Sequence, residues 1–150
     1  MSQLRIRPAE PEDVPRLSQL LGILFAQEAD FVPDPQRQAR GLSLIISDAA
    51  IGRVYCAVRS NAIVGMVSLL FTASTAEGGR AAWLEDLIVD PACRGQGIGR
   101  QLLDHAIREA RSAECLRITL LTDQTNAPAM RFYARAGFTQ SQMLPLRLRV

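Results

Sequence analysis

The run Asp90-Pro91-Ala92-Cys93-Arg94-Gly95-Gln96-Gly97-Ile98-Gly99 brings glycines, a cation and the start of an amphipathic stretch together. Glycine has no Cβ, so the backbone at Gly95, Gly97 and Gly99 can bend sharply and come close to a ligand. The N–H groups of such a turn can converge on one anion. A helix starting behind them adds about half a positive charge, and Arg94 adds a whole one at the same place. A diphosphate is the natural guest. Two other phosphate motifs are excluded by residue type. A dinucleotide fingerprint beginning at Gly95 needs glycine where Arg100 stands. A Walker loop needs Gly-Lys, and all 17 basic residues of this chain are arginines. The lack of lysine also removes Schiff-base chemistry.

The elements that must position this turn can be read from periodicity. Leu4 to Arg7 alternates as a short strand that Pro8 ends. Glu10 to Asp13 places carboxylates at a helix start, and Val14, Leu17, Leu20, Leu21 and Leu24 recur at helical spacing. A second helix is expected over about 36–47, with Leu42, Ile45 and Ile46 inward. Val54–Arg59 and Ile63–Thr72 read as strands joined by a Ser60-Asn61 hairpin turn, and Ala82–Val89 as the next strand. Past the glycines, Ile98, Leu102, Leu103, Ala106, Ile107 and Ala110 form one apolar stripe. Leu116–Leu121 reads as a strand. Asn126 can cap a short helix that carries Pro128 in its first turn and stops at Gly137. Leu144–Val150 reads as a last strand whose apolar alternation could serve a homodimer. The pattern predicts a mixed α/β fold with a strand–helix–strand crossover in its second half, in a single domain spanning 1–150.

Composition bounds the partners. A length of 150 residues with 48% hydrophobic content supports one packed core. A net charge of +2, with dispersed arginines, argues against nucleic-acid and membrane-surface binding. Cys56, Cys93 and Cys115 stand far apart, which argues against disulfides and a zinc site and favours a cytoplasmic setting. No run approaches the ~20 apolar residues of a membrane span, and no metal is expected.

Two segments resemble a known family. Arg94-x-x-Gly97-x-Gly99 is similar to the acyl-CoA signature R/Q-x-x-G-x-G/A of the GNAT N-acetyltransferases. Leu84 to Pro91 looks like the strand that precedes it. Asn126-x-x-Ala129-x-x-Phe132-Tyr133-x-x-x-Gly137-Phe138 resembles the family's second signature. The likeness covers about 83–138 and is only architectural before that. It implies the GNAT acyl-CoA N-acyltransferase fold, a mixed central sheet flanked by helices whose fourth and fifth strands splay into a V-shaped cleft. It implies acetyl-CoA as co-substrate. The pantetheine arm is expected along Leu87, Ile88 and Val89, and the diphosphate on the N–H groups of Arg94, Gly95, Gln96, Gly97, Ile98, Gly99 and Arg100.

The implied reaction is attack of an amine on a thioester, and the resemblance suggests how it is divided. The amine must lose a proton, because an alkylammonium with a pKa of ~10.4 has no lone pair. Glu85 is the candidate base, acting through a water, with its neighbour Asp86 as competitor or acceptor-binding group. In a regular strand only one of the two can face the cleft, and a bulge would disturb that parity. Tyr133 is the candidate acid for the leaving thiolate, and the N–H of Ile88 or Val89 the oxyanion donor. Asn126 is a helix cap or a pantetheine ligand. Glu28, Asp30, Phe31 and Asp34 lie where the acceptor loop is expected, with Glu28 and Phe31 the candidate substrate contacts. His105 is expected to face solvent, and Cys93 lacks a histidine to activate it. The expected function is acetyl transfer to a primary amine of a small molecule or protein. The alternative is a silent module that binds acetyl-CoA without turnover.

Overall fold

A computed structural model describes residues 2–150. Strand β1 (Arg5–Pro8) lies beside β2 (Gly52–Arg59), with helices α1 (Val14–Gln27) and α2 (Pro35–Ser47) between them in sequence. Strand β3 (Ala62–Ser74), strand β4 (Gly79–Val89), helix α3 (Ile98–Ser112), strand β5 (Ile118–Thr119) and helix α4 (Ala127–Arg135) follow. The sheet order is β1-β2-β3-β4-β5, antiparallel except for the parallel β4–β5 pair that α3 connects. The expected mixed α/β architecture is therefore the observed one.

Local chemistry explains the connections. Ser60 and Asn61 both hold positive φ, at 52° and 63°, the hairpin geometry whose twist matches the flanking strands. Asp34 caps α2 by accepting from the Arg37 N–H at 3.1 Å. Asp13, just ahead of α1, is tied to Arg7 of β1 at 2.7 Å. Gly52 sits where β2 crosses β3 so closely that a Cβ would lie 2.1 Å from the Leu69 carbonyl oxygen.

Both faces of the sheet are covered. Leu102, Leu103 and Ala106 of α3 pack with Tyr55, Val67, Leu69 and Leu84 on one side. Leu17, Leu20 and Leu21 of α1 and Leu42 of α2 pack with Cys56, Met66 and Ile88 on the other. Among the described residues, no helix is long and apolar enough to cross a membrane.

Three expectations need correction. Leu144–Val150 forms no strand. The sheet offers it almost no template, because β5 is only two residues long where six were expected, and Leu144, Leu146, Leu148 and Val150 stay exposed. His105 is mostly covered: its ring packs edge-on against Tyr55 with centroids 4.7 Å apart, and its buried Nε2 has no hydrogen-bond partner, the nearest carboxylate oxygen being that of Glu109 at 3.8 Å. Burial lowers its pKa, outweighing the pull of Glu109, so it stays a neutral packing residue near neutral pH.

Candidate active site

The phosphate turn has the geometry its residue types imply. A single 3-10 turn, Pro91–Cys93, links β4 to the glycines. Gly95 and Gly97 hold φ of 76° and 79°, the left-handed region where side chains are strained. Gly97 is the N-cap of α3. The first intrachain bond of the helix runs from the Gln101 N–H to the Gly97 carbonyl at 3.1 Å. Among the described residues, no backbone N–H from Arg94 to Arg100 has an acceptor within the chain. Seven successive donors at a positive helix end are thus open to an anion.

The side chains around the turn divide into supports and free groups. Arg16 of α1 grips Asp90 at 2.6 Å and holds the end of β4 beside the turn. Arg94 is exposed and leans back to the Val89 carbonyl at 3.4 Å. Gln96 bonds Arg59. Arg100 is paired with Asp104 at 2.9 Å, so its side chain serves the helix. The side chain of Ile98 is buried in the core, which leaves only its backbone for a ligand. A Cβ at Gly99 would stand in ordinary contact with Val89 and Phe132, at 3.7 and 3.8 Å.

Strands β4 and β5 part early. Their ladder covers only Ala82–Ile118 and Trp83–Thr119. Beyond Trp83 the β5-facing edge of β4 is open, which is the expected V-shaped cleft. Orientation along this edge follows from one bond. The Asp90 N–H points to β3, donating to the Val64 carbonyl at 2.8 Å. Successive residues alternate direction along a strand, so Val89 and Leu87 present their polar groups to the cleft, whereas Ile88 is turned toward β3.

A bulge brings the carboxylates to this cleft. Ser68 pairs Glu85 and Met66 pairs Ile88, so β4 carries one residue more than β3 across the interval. Asp86 sits in the bulge with φ 57°, a left-handed conformation that aspartate tolerates better than most residues. Side-chain parity flips across it. Leu84 before the bulge and Leu87 after it both contact the α3-side core, whereas Ile88 packs under α1 and α2. The strict choice between Glu85 and Asp86 imposed by a regular strand does not apply.

The electrostatics follow. Burial pushes Asp86 up to about 7, with added repulsion from Glu85 and Glu28. Glu85, whose side chain still reaches solvent, is raised by the protein packed around it, partly offset by the positive charge of Arg147. Glu28, beyond the end of α1, is raised by burial and by Asp123, Glu85 and Asp30. Tyr133 is pushed up to about 12, mainly by burial and further by Glu28. Its ring is clamped between Phe132 at 5.2 Å and Phe138 at 5.8 Å. Asn126 is the cap of α4: its Oδ1 accepts from the Ala129 N–H at 3.1 Å, leaving its amide nitrogen for a ligand. Phe31 packs on Phe25 at 5.3 Å and is partly exposed. Among the described residues, no group of three or more His, Cys, Asp or Glu is placed to hold a metal ion.

The sequence reading missed two neighbours. Asp123 follows β5 in a segment without a motif, and Arg147 lies in the segment read as a strand. Neither has a local signature, because both reach the site through tertiary placement.

A profile of the Acetyltransferase (GNAT) family matches residues 19–138. The chain belongs to this family. It is similar to the glucosamine 6-phosphate N-acetyltransferase of Trypanosoma brucei brucei, at 30% identity over 90% of this chain and 88% of that one. It is also similar to the aminoalkylphosphonate N-acetyltransferase of Salmonella typhimurium, at 32% identity over 94% and 88%. Among solved structures, a predicted acetyltransferase with acetyl-CoA from Clostridium acetobutylicum shares the fold at a TM-score of 0.77. That pair is 20% identical over 97% and 96% of the two chains. Membership and these GNAT relatives support N-acetyltransferase activity in general terms.

Proposed function

We propose that residues 1–150 form one N-acetyltransferase domain that moves an acetyl group from acetyl-CoA to a primary amine by direct attack, with both molecules bound at once. The observation that carries this reading is the row of unpaired N–H groups from Arg94 to Arg100, continuous with an open β4 edge that ends at Glu85 and Asp86. The diphosphate binds the row, and the pantetheine arm lies along Leu87 and Val89. Acetyl-CoA as the donor draws support from the family and from the Clostridium structure, which carries that compound. The names of the two curated relatives favour a small-molecule acceptor over a protein.

In the reaction the amine nitrogen bonds to the acetyl carbon and the carbon–sulfur bond breaks. The ammonium proton passes to the carboxylate pair, directly or through a water. Asp86, poised at about 7, suits the base role, because a base is most effective when its pKa lies near the working pH. Glu85 beside it holds the incoming cation. The Val89 N–H is the oxyanion donor, since it faces the cleft. The leaving sulfur takes up the second proton, which the nitrogen loses as the amide forms, and Tyr133, at about 12, keeps its own proton at neutral pH and hydrogen-bonds that sulfur as it departs.

An amine panel read by free-thiol release tests the function. Product with at least one amine is expected; CoA binding without any product would favour the silent module. Within that assay, Tyr133→Phe should lower turnover about tenfold, the value of one hydrogen bond to a charged group, and leave acetyl-CoA affinity within about threefold. Unchanged turnover would remove Tyr133 from the mechanism.

A further inference from the structure

Arg147 occupies an unusual place. Among the described residues, the hydrogen bonds and ion pairs that tie residues 139–150 to the rest of the chain all run through it. Its guanidinium meets the Asp30 carboxylate at 2.7 Å and lies over the Phe31 ring, 5.4 Å from the centroid. Asp30 and Phe31 belong to the loop between α1 and α2, on the acceptor side of the proposed site. Arg147 is also close enough for its charge to act on Glu85, and among the described residues it is the one cation that lowers any member of the group Glu28, Glu85 and Asp86.

A guanidinium in this position is held but not consumed. The face of Phe31 fixes its plane by a cation–π contact. The Asp30 bond is an exposed one, with side chains 45% and 66% accessible, and such pairs contribute little. An oxyanion on an incoming molecule can therefore replace Asp30 at small cost and take a planar, two-pronged grip. The same molecule would place its ammonium among Glu85, Asp86 and Glu28.

We propose that Arg147 forms an oxyanion subsite of the acceptor pocket: set over Phe31 and held by Asp30, it exchanges Asp30 for a phosphate, phosphonate or carboxylate carried by the amine to be acetylated. The ammonium end of this assignment rests on the acetyltransferase reading. The subsite makes the enzyme selective for zwitterionic amines over plain alkylamines, against the repulsion that the acidic pocket would otherwise impose on any anion.

Titration calorimetry with CoA present tests this, using O-phosphoethanolamine and β-alanine as oxyanion-bearing amines and n-propylamine as the bare comparator. The full chain should bind at least one of the first two about tenfold more tightly than n-propylamine, the scale of a charge-assisted hydrogen bond, and the two arms show whether phosphate or carboxylate is preferred. Arg147→Gln should collapse that ratio to one or below, because the acidic pocket then repels the oxyanion. Asp30→Asn should enlarge it, because the competitor for the guanidinium is gone. A wild-type chain without the preference, or a preference that survives Arg147→Gln, overturns the subsite. Thiol release in parallel separates the two readings: a ratio that depends on Arg147 without acetylation of any amine keeps the subsite and rejects the acetyltransferase assignment.

Discussion

Gly97→Asp is expected to abolish acetyl-CoA binding, with affinity falling by about 100-fold or more, while the folded chain persists. The protein itself leaves room for the side chain: no heavy atom lies within 4 Å of a Cβ built at Gly97. The loss comes from elsewhere. A φ of 79° disfavours any residue with a Cβ by roughly 1–2 kcal/mol. The new carboxylate would stand at the helix end meant for a diphosphate, so like charges meet where the donors converge. Gly97→Ala carries only the backbone cost and should bind acetyl-CoA with an intermediate affinity. Equilibrium binding of both variants, with a thermal melt to confirm folding, checks the order wild type, alanine, aspartate. An aspartate variant that binds as tightly as wild type would place the diphosphate elsewhere.

Asp86→Asn should lower kcat by about 100-fold or more, the usual range for a lost general base, and raise thermal stability at pH values above neutrality. Burial holds the Asp86 carboxyl at about 7, well above the ordinary carboxylate range. A raised pKa means that the folded state prefers the protonated form. Its favourable contribution is complete below the ordinary carboxylate range and is lost as pH climbs through about 7. Asparagine stays neutral throughout and accepts the left-handed φ of the bulge more readily than aspartate. The Tm gain should therefore be largest at alkaline pH and shrink in acid to the small remainder that the bulge conformation contributes. The wild-type rate should fall on the acid side of about 7 as Asp86 takes up its proton. Full activity in the asparagine variant would return the base role to Glu85.

A half-buried aspartate in a bulge illustrates how far the residue order could be read. Leu84 to Pro91 was recognisable as a strand feeding a phosphate turn, because apolar runs and glycines act locally. The glycine turn, the α3 stripe and the Asn126 cap were legible for the same reason. The Glu85–Asp86 pair was visible as a pair, but its parity depends on one extra residue against β3, a feature of pairing and not of composition. The C-terminal alternation suggested a strand, yet strand formation needs an edge, and β5 supplies only Ile118 and Thr119. His105 looked polar by helical spacing, but Tyr55 from β2 covers it. Arg147 and Asp123 reach the pocket by chain placement alone.

The central claim is that the Arg94–Arg100 turn holds the diphosphate and so stretches the thioester along β4. A crystal structure with bound CoA tests it most directly. The diphosphate oxygens are expected within hydrogen-bond distance of the N–H groups from Arg94 to Arg100, with the thiol lying toward Glu85 and Tyr133. Density for CoA on any other surface, with the turn free of phosphate, would contradict the account.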